Sequence, residues 1–233
     1  MKNYVFIFGF LCLTFIGISQ ESITDSLPPD NQYSEDQFYL AVTYNILTHK
    51  PDKLSQSGFS SGLHAGFIRD FPINKKRNIA LGIGMGYAVS TFNQNMLIHK
   101  DEQGNTQFTI LNQAESGYTK NKFATHAIEI PIEIRWRNSS PTRYSFWRVY
   151  TGFKLGYVFA HGTKFKGELG SFKYTDIEAF NEFQYGLTLS FGYQKWNAHL
   201  YYGLNEIFDN TANSNDKRIN MAVAKIGLIF YIL

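Results

Sequence analysis

Apolar and polar residues alternate with period two along much of this chain. The run from His126 to Trp136, HAIEIPIEIRW, puts Ile128, Ile130, Ile132 and Ile134 on one side, and Glu129, Pro131, Glu133 and Arg135 on the other. Successive side chains of a strand point to opposite faces, whereas a helix would spread both sets around its surface. The spacing therefore predicts a strand with one apolar and one charged face, extending over 123–137. The same pattern predicts strands over 37–47, 58–69, 79–92, 146–160, 182–193, 196–204 and 218–233. In 79–92, Ile79, Leu81, Ile83, Met85, Tyr87 and Val89 alternate with Ala80, Gly82, Gly84, Gly86, Ala88 and Ser90. Pro131 lacks a ladder donor, which predicts a bulge at that point.

A two-faced strand suits a soluble sandwich, with apolar faces inward, or a membrane barrel, with apolar faces toward lipid. The connections decide between them. They run long (48–57), short (70–78), very long (93–122), short (138–145), long (161–181), very short (194–195) and moderately long (205–217). Short periplasmic turns alternating with long outer loops are the form of an up-and-down barrel, and a Greek-key sandwich has no reason for it. The prediction is all-β: a transmembrane up-and-down antiparallel β-barrel of about eight strands. Its isoleucines face lipid, and Glu129, Glu133, Arg135, Arg148, Lys154 and Lys225 form a lumen charge network. A barrel of that size has an interior that side chains can fill. The small inward faces of the third and sixth strands leave room for the long ones. Trp136, Trp147 and Trp196 fall beside the short turns and read as an interface aromatic girdle.

Composition agrees. Charged residues make up 18% of the 233 residues and aromatic residues 17%, against roughly 25% charged in average soluble domains. A net charge of +3 without a dense basic tract excludes nucleic acid as a partner. Lys2, the apolar run Tyr4 to Ile18 and the small residues Gly17 and Ser19 predict a signal peptide over 1–19. A flexible periplasmic tail is expected over 20–35, which carries Pro28 and Pro29, and the barrel domain over 36–233. The single cysteine, Cys12, lies in the leader, so no disulfide is expected in the mature chain. No later apolar run is long enough for a membrane helix, which leaves strands as the only way across.

The chain carries little recognisable chemistry. GIGMG at 82–86 lacks the third glycine and the following helix of a phosphate loop. The six histidines stand apart, without metal-ligand spacing, so no metal and no cofactor are expected. His126 and His161, with Ser90 and Ser116, are the residues available to a lipid-modifying enzyme with a rim active site. No nucleophile motif marks them, and the reading is non-enzymatic. A narrow channel is the other alternative, disfavoured by the small bore. In 93–113, two β-prone stretches flank DEQGNT and predict a protruding hairpin. Met96, Leu97, Ile98, Phe108, Ile110 and Leu111 would be exposed on it as a candidate partner surface. Mutual packing of the outer loops is the competing outcome.

The leader ending ISQ, the regular strands, IEIPIEIRWR and FWRVYTGFKLGYVFA together resemble the PorT-like outer-membrane β-barrel family of Bacteroidota, over roughly 36–233. The resemblance implies an accessory or scaffold role in an envelope complex, with type IX secretion and gliding among the roles of members. The partners it implies are outer-membrane lipid and other envelope or secretion-system proteins. It brings no catalytic residues.

Overall fold

The computed structural model describes residues 36–112, 117–138, 146–175, 177–214 and 217–232. The predicted leader and tail, Ser116 and most of the 138–145 turn lie outside them. In chain order the strands are β1 (Gln37–Thr48), β2 (Ser61–Pro72), β3 (Ile79–Asn93), β4 (Met96–Lys100), β5 (Thr106–Ile110), β6 (Tyr118–Arg137) and β7 (Trp147–Gly167). There follow β8 (Gly170–Thr175), β9 (Phe183–Tyr193), β10 (Trp196–Gly203), β11 (Asn213–Ser214), β12 (Lys217–Arg218) and β13 (Ala222–Ile232). All pairings are antiparallel.

Eight of these strands close a circuit, β1-β2-β3-β6-β7-β9-β10-β13, and β13 pairs back onto β1 from Phe38 with Ile232 to Thr48 with Ala222. Closure leaves the circuit without a free edge, as a membrane-spanning sheet requires. The short turns and both terminal strand ends lie at one end, and the long connections at the other. At the shortest turn, Gln194 adopts φ 55, the left-handed geometry that a two-residue hairpin demands.

Burial is inverted relative to a soluble domain. On β1, Phe38, Leu40, Val42, Tyr44 and Ile46 are exposed, while Gln37, Tyr39, Ala41, Thr43 and Asn45 are buried. On β6, Ile128, Ile130, Ile132 and Ile134 face outward, whereas Glu129, Glu133, Arg135 and Arg137 are buried. An outward belt of Ile, Leu, Phe and Tyr around a polar interior is stable only where the surrounding solvent is apolar.

Several expected boundaries shift. β7 runs to Gly167 and folds back into β8, so most of the expected 161–181 loop is a hairpin standing above the circuit. β13 begins at Ala222 rather than 218, and β2 at Ser61 rather than 58. The bulge expected at Pro131 is absent. The β3–β6 register is the same on both sides of it, with Ile83 opposite Ile132 and Gly86 opposite Glu129, and only the intervening pairs lapse. Pro131 stays aligned with Lys154 on β7. Its missing donor faces β3, so one ladder bond is dropped and no residue is inserted. The shifts in β6–β7 register lie instead between Tyr118 and Lys120, and between His126 and Ala127.

Candidate functional site: a filled lumen beneath a capped mouth

Polar clusters occupy the interior toward the short turns and apolar clusters occupy it toward the long loops. Nearest the short turns, Asp70 from β2 accepts hydrogen bonds from Arg135 and Arg137 of β6, and Arg135 also donates to Gln37 of β1. The Arg135 guanidinium carbon lies 4.0 Å from the Tyr150 ring centroid and 5.2 Å from that of Tyr231. That of Arg148 lies 4.6 Å from Phe146 and 5.6 Å from Tyr231. Glu133 approaches Arg135 at 3.8 Å. The Arg135 guanidinium thus lies over two tyrosine faces while its edge shares the Asp70 carboxylate with Arg137, a geometry lysine could not reproduce.

Farther along the bore, Glu129 takes His64 Nδ1 at 3.0 Å and Lys154 Nζ at 3.2 Å. The other ring nitrogen of His64 lies 3.3 Å from the Thr43 hydroxyl. Lys225 donates to Ser90 at 3.0 Å, and its Nζ lies 5.3 Å from the Tyr201 ring. A cavity of about 20 Å³ remains between Glu129, Lys154, Lys225, Gln184 and Tyr201, room for about one water. His199 and Ser190 bond each other at 2.8 Å, buried across the β9–β10 pair.

All six expected lumen charges therefore point inward: Glu129, Glu133, Arg135, Arg148 and Lys154 fully buried, Lys225 partly. Asp70, Arg137, His64 and His199 join them. The inward parity of His64, His199 and Arg137 was visible in their strands, but Asp70 falls in the 70–78 stretch that reads as turn. Glycines make the space. A Cβ on Gly86 would collide with the Tyr39 hydroxyl, and one on Gly82 would meet the Arg135 side chain at 2.5 Å. The small faces of β3 and β9 are thus the complement of the large side chains opposite.

At the long-loop end the interior becomes apolar. β4 and β5 pair as the expected hairpin, from Met96 with Ile110 to Lys100 with Thr106. Its apolar side chains are not exposed, and this corrects the partner-surface expectation. Met96, Leu97, Ile98, Phe108 and Leu111 are buried and Ile110 is partly so. Met96, Ile98, Phe108 and Ile110 pack with Leu47, Phe92, Phe123, Phe180, Phe208 and Met221, contributed by strand ends and by other long connections, while Leu97 and Leu111 pack on Phe165 of β7. The rings of Phe108, Phe123 and Phe180 lie 5.3, 5.8 and 4.7 Å from that of Phe208. Water lies beyond this end, so an uncovered apolar ribbon would be unstable, and the loops fold over the mouth to cover it. Asn95 ties the cap down through Ser55 N, Lys53 O and Leu111 O at 2.8–3.0 Å. Asn181 does the same through Glu206 O and Phe208 O.

The residues weighed for a rim active site are not brought together. Ser90 lies in the lumen against Lys225, and Ser116 is outside the described residues. His126 faces outward, its Nδ1 2.6 Å from the Tyr87 hydroxyl, while His161 stacks on Phe180 at 4.6 Å. Among the described residues no group of three or more His, Cys, Asp or Glu could hold a metal ion. Trp136, Trp147 and Trp196 are 40, 56 and 67% exposed beside the short turns. Trp147 packs on Tyr193 and Trp196 on Phe230.

A closed sheet with a lipid-compatible exterior, a charged filled bore and long loops at one end defines a transmembrane β-barrel. A family model described as outer membrane protein beta-barrel domain matches residues 19–209. The chain belongs to that family, which places it in the outer membrane of a Gram-negative bacterium. No curated protein matches it.

Proposed function

We propose that this barrel acts through its surfaces, as a non-enzymatic accessory or scaffold component of an envelope complex. The observation that carries the reading is the filled interior. The two charge clusters, with Tyr39, Tyr150 and Tyr231 between them, occupy the bore, and the apolar cap covers its mouth. Such an interior favours neither conduction nor substrate entry. The outer wall, the exterior of the cap and the predicted tail over 20–35 remain as contact surfaces. The resemblance of IEIPIEIRWR and FWRVYTGFKLGYVFA to PorT-like barrels supports type IX secretion as the process served.

The test is cross-linking in cells followed by affinity purification of the tagged barrel from detergent extracts. Secretion-system envelope proteins should be recovered in stoichiometric amount, and a deletion strain should lose secretion. Recovery of the barrel alone, with secretion intact, would overturn the proposal. A changed lipid A profile in His126→Ala or His161→Ala strains would favour the enzymatic reading instead.

A further inference from the structure

Where β6, β7 and β8 rise above the apolar belt, five lysines share the outward face. Lys122 lies opposite Lys164, which lies opposite Lys173, and Lys120 lies opposite Lys166. Like charges directly across a ladder repel and destabilise the pairing. Among the described residues none of the five forms an ion pair. The arrangement therefore costs stability unless an anion lies against it. Between them runs a groove of about 330 Å³, walled by Lys122, His126, Lys164 and Lys173 over a floor that includes Ala124 and Gly162. The small floor residues let a ligand approach the backbone between the ammonium groups.

Height along the barrel selects the ligand. From Trp136 up to His126, a strand rising about 3.3 Å per residue and tilted about 40° climbs roughly 25 Å, the height of an outer-membrane apolar band. Exposed Tyr87, Ile128, Tyr157 and Phe159 form the top of that band, and His126, which packs on Tyr87 and Phe159, marks its edge. The lysines follow immediately above, at the level of the outer-leaflet headgroups.

We propose that this groove binds the phosphorylated headgroup of an outer-leaflet glycolipid, with Lys122, Lys164 and Lys173 on the phosphate and the acyl chains running down the wall over Ile128 and Tyr157. The full-length barrel is purified in detergent, and diphosphoryl lipid A is titrated in by native mass spectrometry. The K122Q/K164Q/K173Q variant should bind about 100-fold more weakly, each lysine near an anionic surface contributing a severalfold factor. K122R/K164R/K173R should bind like the native protein, and K75Q/K76Q, in the turn at the opposite end, should change nothing. Equal binding by the glutamine variant would overturn the proposal, as would equal binding of dephosphorylated lipid A. Displacement of lipid A by millimolar inorganic phosphate would also overturn it, because the site would then take the free anion. Folding of each variant is read from its heat-modifiable migration. Should the glutamine variant not fold, raising salt on the native protein serves instead: binding should weaken steeply, and salt-independent binding would overturn the proposal.

Discussion

The two ends of this tube solve the same problem with opposite chemistry. Near the short turns, Asp70, Arg135, Arg137 and Arg148 fill the bore with charge backed by tyrosine. Near the long loops, Phe92, Phe108, Phe123, Phe180 and Phe208 fill it with hydrocarbon. The charged end is built from strand residues whose positions the ladder dictates, so its hydrogen bonds depend on register. The apolar end is built largely from connections, which need only non-directional burial to stay in place. The comparison teaches that a rigid scaffold can afford a polar core, whereas loops that must find one another do better with an apolar one.

The sharpest way to break this division is Asp70→Ala. It strands two buried guanidinium groups beside one another and should cost about 3–5 kcal/mol of whole-barrel stability, read from urea unfolding in lipid vesicles. A shift below about 1 kcal/mol would mean that the charges find other partners and that register is not what holds them. Phe208→Ala should cost about 3 kcal/mol, but locally. Hydrogen exchange should speed up in the cap while the barrel midpoint stays close to the native value. An equally large fall of the midpoint would show that cap and barrel are one cooperative unit. The smallest expected effect is on conduction. Replacing the hairpin tip, residues 101–105, by two glycines should leave planar-bilayer conductance at baseline, because the lumen beneath is filled by Tyr39, Arg135, Tyr150 and Tyr231. Discrete conductance steps would identify the cap as the only seal.

Much of this architecture is readable from period two. The alternation in 79–92 and 123–137 assigns every side chain to wall or lumen, and the alternation of connection lengths selects a barrel over a sandwich. What is not readable depends on partners distant in sequence. Asp70 closes the arginine cluster from a strand 65 residues away, and nothing near FIRDFP announces it. The hairpin over 93–113 is visible as two short strands, but MLIHK and TQFTI carry no sign of where their apolar side chains go. That depends on Ile177, Phe208 and Met221, which arrive from other loops. β8 escapes notice because GSFKYT is short and lies above the membrane, where no belt imposes the regular alternation. The lysine groove is hidden for the same reason: Lys122, Lys164 and Lys173 become neighbours only through the pairing of three strands.

The seam between β1 and β13 sets the order of assembly. The tube cannot be sealed until Ala222–Ile232 meets Gln37–Thr48, a closure across nearly 200 residues that chain entropy makes slow. Until then the nascent sheet offers two unsatisfied margins and a greasy flank to the periplasm. Pairing of these two strands removes both margins at once, so closing the tube and placing its flank in lipid favour one another.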